Sequence, residues 1–134
     1  MYHGQQDKQI TTFNTQRFYE HLRGDRTYEE MNDWVRYLRI SGMNHCNSGP
    51  GAWVLGQDGG ATAAGVPFEK ERNVLSAVVE WVETGVTPEY VEGTKFVNDT
   101  VGLGAEFARR HCRYPMRNVY VGGDRRDAMS WECI

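Results

Sequence analysis

Apolar and polar positions recur with two periods along this chain, and one long stretch has neither. Residues 11–22 carry Phe18 and Leu22 at i and i+4, a spacing that stacks side chains on one helix face. Thr11 or Thr12 can cap its start, and Gly24 stands where such a helix stops. Residues 28–32 predict a short helical turn. Residues 34–40 are β-branched and aromatic and predict a strand with Leu38 and Ile40 on one face. A second helix is predicted over 69–84, where Val74, Val78 and Val82 repeat at i+4 beside Leu75 and Val79. Acidic residues in its first turn suit the helix dipole, and Gly85 and Pro88 end it. Residues 90–97 read as a strand. Short strands follow over 109–113 and 117–121, and Gly122-Gly123-Asp124 is a turn.

Residues 41–66 break the pattern with Gly42, Gly49, Gly51, Gly56, Gly59, Gly60, Gly65 and Pro50. A loop this long in a compact domain is usually functional or disordered, and its glycines point to special backbone angles. Helix, strand, long loop, helix, strand is the grammar of an α/β protein. The apolar faces of the 69–84 helix and the 34–40 strand need a sheet to cover, and one or two strands do not supply it. The first seven residues, an apolar-aromatic run ending in Gly4-Gln5-Gln6-Asp7, read as the exit of a strand whose start is expected upstream.

Composition narrows the function classes. A chain of 134 residues has room for one domain. With 15 Lys+Arg against 18 Asp+Glu, the net charge of −3 gives no basic footprint for nucleic acid. Arg109-Arg110 and Arg125-Arg126 are isolated pairs. No run approaches the ~20 apolar residues of a membrane span, so neither nucleic acid nor membrane is an expected partner. The first residues have no charged region, apolar core or small-residue cleavage site of a signal peptide.

Asp7 and His45 are the leading chemical candidates. Each follows a predicted strand, and open α/β sheets place their sites beyond the carboxyl ends of strands. Acid then histidine is also the back half of the Ser…Asp…His order of α/β-hydrolases. The bland alternative is a turn-capping aspartate and a structural histidine. Ser41, Ser48, Ser76 and Ser130 all lie outside a Gly-x-Ser-x-Gly elbow, so no nucleophile is evident. The pairs His45-Cys46 and His111-Cys112 lack metal-site spacing, and no metal is expected. Gly49-Pro50-Gly51 and Gly102-Leu103-Gly104 do not complete a nucleotide-binding fingerprint, because Val54 and Phe107 replace the third glycine. Three cysteines, Cys46, Cys112 and Cys133, leave two readings open: an odd half-bridge in an oxidising compartment, or three reduced thiols. A bridge between Cys112 and Cys133 would close a loop worth roughly 3 kcal/mol. Asn98-Asp99-Thr100 is a candidate glycosylation sequon.

Together these residues resemble the tannase/feruloyl esterase family, secreted α/β-hydrolase-type esterases. Residues 3–10 resemble the family's turn carrying the triad acid, and Phe18-Tyr19-Glu20 the helix after it. The most specific piece is 37–40 followed by Gly42-Met43-Asn44-His45-Cys46 and Gly49-Pro50-Gly51. Trp81, Val82, Glu83, Gly85 and Pro88 resemble a family helix. Cys112-Arg113-Tyr114-Pro115, Tyr120, Gly122-Gly123-Asp124, Asp127-Ala128 and Trp131-Glu132-Cys133 resemble its ending.

The resemblance implies that residues 1–134 are the C-terminal portion of an α/β-hydrolase catalytic domain, with strand ends, two main helices, a glycine-rich histidine loop and disulfide-tied terminal strands. It implies Asp7 as triad acid and His45 as triad base. It implies a Cys112–Cys133 bridge, and for Cys46 a partner beside an upstream serine. The nucleophile and a calcium-carrying lid are expected outside this stretch, with no cofactor inside it. The implied substrate is an ester of an aromatic acid, free or polysaccharide-linked, and the implied location is secreted. The rival reading is a small, non-catalytic, disulfide-stapled binding module.

Overall fold

The computed structural model describes residues 1–57 and 62–134, so Gly59 and Gly60 of the glycine-rich loop lie outside the described residues. Strand β1 (Tyr2–Gly4) leads into helix α1 (Thr12–Arg23), the short α2 (Tyr28–Asn32) and strand β2 (Leu38–Ile40). The loop from 41 carries a 3-10 turn, Ala63–Gly65, before α3 (Val74–Thr84). Four strands finish the chain: β3 (Tyr90–Phe96), β4 (Ala105–Cys112), β5 (Asn118–Tyr120) and β6 (Trp131–Cys133).

β1 and β2 are parallel neighbours, with Tyr2 opposite Leu38 and Gly4 opposite Ile40. Parallel neighbours need a crossover, and α1 and α2 supply it. β3 and β4 form an antiparallel hairpin, as do β5 and β6. Isolated bridges join Leu38 to Arg113 and Val54 to Thr94, so the hairpin of β3 and β4 touches both β2 and the long loop.

Two apolar clusters hold these pieces. The larger joins Leu38, Ile40, Met43, Trp53, Val54, Leu55, Val66, Ala77, Val91 and Phe96. Five of its members, Met43, Trp53, Val54, Leu55 and Val66, come from the loop after β2, so that loop is packed into the core by its own side chains. The smaller cluster is Tyr19, Met31, Tyr37 and Tyr114, with the three tyrosine rings 5.6–5.8 Å apart. A bridge between Cys112 and Cys133 ties the ends of β4 and β6 together.

Four expectations are corrected. α1 seats Tyr19, fully buried in the tyrosine cluster, while Phe18 is 57 % exposed. The strand expected from residue 34 begins at Leu38, because the amides of Trp34 and Val35 still donate to Met31 O as the chain leaves α2. α3 begins at Val74 and has no acidic residue in its first turn. Residues 69–73 form a separate turn held by Glu92 N–H on Glu71 O, and Asn73 Oδ1 caps α3 by accepting from Leu75 and Ser76 N–H. β4 begins four residues before the expected strand, since Ala105 already pairs with Phe96 across the hairpin.

Candidate active site

The site grows from the ends of β1 and β2. Beyond β1 the chain turns through Gln5 and Gln6 to Asp7, and beyond β2 it enters the loop that carries His45. Backbone hydrogen bonds stitch the two exits together: Gln5 N–H donates to Ile40 O and Gln6 N–H to Met43 O, each at 2.9 Å. Glycine is required at position 4, where a Cβ would run into the carbonyl oxygens of Met43 and Asn44. Any larger residue would lift the histidine loop off the exit of β1.

This places the two candidates in contact. His45 Nδ1 lies 2.8 Å from Asp7 Oδ2. The Asp7 side chain is 1 % exposed and that of His45 41 %. An ionised carboxylate only accepts, so Nδ1 carries the proton of this hydrogen bond. Nε2 has no hydrogen-bond partner among the described residues, and the ring is partly exposed. The other carboxylate oxygen, Oδ1, accepts from Gln9 N–H at 2.8 Å and Ile10 N–H at 2.9 Å. Burial alone would raise the Asp7 pKa. The Ile10 amide, His45 and the Gln9 amide outweigh it and hold the carboxyl well below the usual carboxylate range.

Three further groups brace the loop. Gln57 donates through Nε2 to Cys46 O at 3.2 Å and Trp53 O at 2.9 Å, and accepts Leu55 N–H. Lys95 Nζ donates to Gly49 O at 2.7 Å and to Asp99 Oδ1 at 2.6 Å, and the same carboxylate accepts Trp53 Nε1–H. His111 is buried and donates Nε2–H to Ala52 O at 2.8 Å. Gly93 makes this contact possible, since a Cβ there would meet both Ala52 O and the imidazole. Burial pushes the His111 pKa down to about 4, so it is neutral and structural.

The remaining candidates are dispersed. Cys46 is exposed and unbridged, with φ 63°. Asn98 is exposed, and Thr100 Oγ1 donates to its carbonyl. Ser41 Oγ donates to Gln5 Oε1, and Ser48 Oγ accepts from Asn44 Nδ2. Among the described residues no group of three or more His, Cys, Asp or Glu side chains could hold a metal ion. A cleft of ≈ 290 Å³ lined by Gln5, Arg39, Ser41, Arg110 and Arg117 includes neither Asp7 nor His45. His3, Gln57 and Lys95 also serve this corner, though no motif in the sequence marks them. The i, i+4 pair His3 and Asp7 across a glycine was the available signal for the first; Gln57 and Lys95 act only once the loop has folded back.

Paired parallel strands with a carboxylate and an imidazole meeting at their carboxyl ends define a mixed α/β protein that carries its candidate chemistry on strand-exit loops. More specifically, residues 1–134 match the family described as Tannase and feruloyl esterase, and the chain belongs to that family. It is 50 % identical over 115 residues to a probable feruloyl esterase B-2 of Aspergillus flavus, covering 84 % of this chain and 22 % of that protein. It is 44 % identical over 136 residues to a probable feruloyl esterase B-2 of Aspergillus fumigatus, covering 99 % and 25 %. The crystal structure of feruloyl esterase B from Aspergillus oryzae superposes with a TM-score of 0.87 at 37 % identity, over 99 % of this chain and 26 % of that one. Tannin acyl hydrolase from Aspergillus niger shares the fold, with a TM-score of 0.62 at 19 % identity. The chain thus spans about a quarter of the length of these relatives.

Proposed function

We propose that this chain supplies the acid and base of a serine-type carboxylic ester hydrolase acting on esters of aromatic acids, free or attached to polysaccharide. The observation that carries the proposal is the 2.8 Å contact of His45 Nδ1 with Asp7 Oδ2, with Nε2 left open. Asp7 fixes the Nδ1–H tautomer of His45 and stabilises the imidazolium. Nε2 accepts the proton of a serine hydroxyl as its oxygen attacks the ester carbonyl, then returns it to the leaving alcohol. Water, deprotonated by the same nitrogen, attacks the acyl-enzyme carbonyl and releases the acid and the free serine.

No serine among the described residues contacts His45, so the nucleophile is assigned to polypeptide outside these residues. This fits an α/β-hydrolase catalytic domain of which residues 1–134 are the C-terminal portion. The exposed thiol of Cys46, next to His45, suits a bridge to a cysteine beside that serine, tethering the loop. The calcium-carrying lid that the family resemblance implies belongs, in this reading, to polypeptide outside these residues. The Cys112–Cys133 bridge supports an oxidising, secreted destination, where the exposed Asn98 is available for glycosylation. Membership of an esterase family favours this reading over a non-catalytic binding module.

Grafting residues 1–134 in place of the matching quarter of feruloyl esterase B from Aspergillus oryzae tests the proposal. The graft should hydrolyse a feruloyl ester, and Asp7→Ala with His45→Ala should abolish turnover without loss of folding. The 134-residue chain alone should show none. Turnover by the isolated chain, or by the doubly substituted graft, would sink the assignment. The coding sequence upstream of Met1 should also specify a Cys-Ser pair followed by glycines.

A further inference from the structure

We propose that His3 is a positioning residue: a second imidazole that holds the Asp7 carboxylate in the orientation His45 requires. This rests on the reading of Asp7 and His45 as acid and base. His3 Nε2 lies 3.0 Å from Asp7 Oδ2 and 3.0 Å from Ile10 O. Both partners are acceptors, so Nε2 carries a proton. His3 Nδ1 lies 2.6 Å from Thr15 Oγ1, and in the neutral ring it accepts the threonine hydroxyl proton. The ring is therefore fixed by α1 on one nitrogen and by the turn after β1 on the other. Its side chain is 11 % exposed.

The consequence is a saturated carboxylate. Oδ1 takes the N–H groups of Gln9 and Ile10, and Oδ2 takes those of His3 and His45. Without His3, Oδ2 keeps only His45, the partner it is meant to orient. The terminal torsion of aspartate is soft and roughly two-fold, so rotation of the carboxylate would carry the acceptor away from His45. Geometry at this level matters because ~1 Å of misplacement can cost 10²-fold in rate. His3 touches no reacting atom and acts through Asp7 alone.

The test uses His3→Leu, His3→Gln and Thr15→Val, with Asp7→Asn as reference. In the 134-residue chain, nitrogen NMR of the His45 ring reads its tautomer; in the graft, steady-state kinetics on a feruloyl ester separate kcat from KM. The expected result for His3→Leu is a fall in kcat of about 10- to 100-fold, KM within about twofold, and a shift of His45 from Nδ1–H toward mixed tautomers. His3→Gln, whose amide N–H reaches the same region, restores most of kcat. Thr15→Val gives a smaller loss of the same kind. A merely structural peg predicts otherwise: His3→Leu lowers the melting temperature, kcat and the tautomer stay put, and glutamine gives no rescue. That result overturns the proposal. The two readings fail separately. If Asp7→Asn silences the graft and His3→Leu changes neither kcat nor the tautomer, His3 has no positioning role and the triad stands. If no graft turns over but His3→Leu still releases the tautomer, the positioning stands and the esterase reading falls.

Discussion

The corner around Asp7 and the outer face of α3 are opposites. At Asp7 each lone pair of a buried carboxylate has a donor, and all four donors come from nearby loops and strands of the same chain. On α3, Leu75, Val78, Val79 and Val82 are 37–79 % exposed, and only Ala77 is buried. Polar chemistry is locally complete while apolar packing is locally open. Hydrogen bonds are satisfied over a few ångströms by chain neighbours, whereas a helix face needs a whole opposing layer. These residues suffice to organise a carboxylate and an imidazole and do not suffice to cover their own scaffold.

The sharpest way to break this contrast is at the carboxylate. Asp7→Asn in the graft keeps the shape and offers His45 an amide that can stabilise the wrong tautomer. We expect kcat to fall by about 10⁴-fold with little change in folding, read by kinetics and circular dichroism. A fall below tenfold would mean the corner is not the reaction centre. Next is the covalent tie: Cys112→Ser with Cys133→Ser should cost roughly 3 kcal/mol, measured by denaturant unfolding of the graft.

A comparable effect is expected from pH through His111. Its folded pKa, about 4, lies below the unfolded value near 6.5, so the folded state binds fewer protons between them. Its contribution is complete above ~6.5 and is lost as pH falls toward 4, on the order of 3 kcal/mol. His111→Gln should flatten that part of the stability profile. Asp7 behaves differently: its depressed pKa keeps the carboxylate ionised as pH passes through the ordinary range, so its share is lost only at more acid pH. The smallest effect belongs to the other side of the comparison. Val82→Lys in the isolated chain should move stability by no more than about 0.5 kcal/mol while reducing self-association in light scattering. A large loss would show that this face is already packed.

The sequence made some of this legible. Asp7 and His45 stood out because each is a polar residue just past an apolar run, and the exits of neighbouring strands lie side by side; their contact is visible only in the fold. Leu38 and Ile40 were readable because alternation survives even in a three-residue strand. Phe18 and Tyr19 show the limit. Both are aromatic neighbours, and which one faces inward depends on Tyr37 and Tyr114, the latter 95 positions along the chain from Tyr19. The start of α3 departs from its expected position for a related reason: Glu71 looks helical by composition, but its carbonyl is taken by β3. His3 was hidden because its meaning lies in three partners that meet only when β1, α1 and the turn between them close up.

Glycine at position 4 has a consequence for how this corner can vary. The two exits are laid against each other through main-chain atoms, so the spacing between the Asp7 carboxylate and the His45 imidazole is set by polypeptide and not by side-chain size. A glutamate at position 7 would have to carry its extra methylene into a frame fixed on every side. The corner therefore accepts replacement only by something of the same reach, and lineages that vary freely elsewhere on this scaffold should keep its dimensions constant.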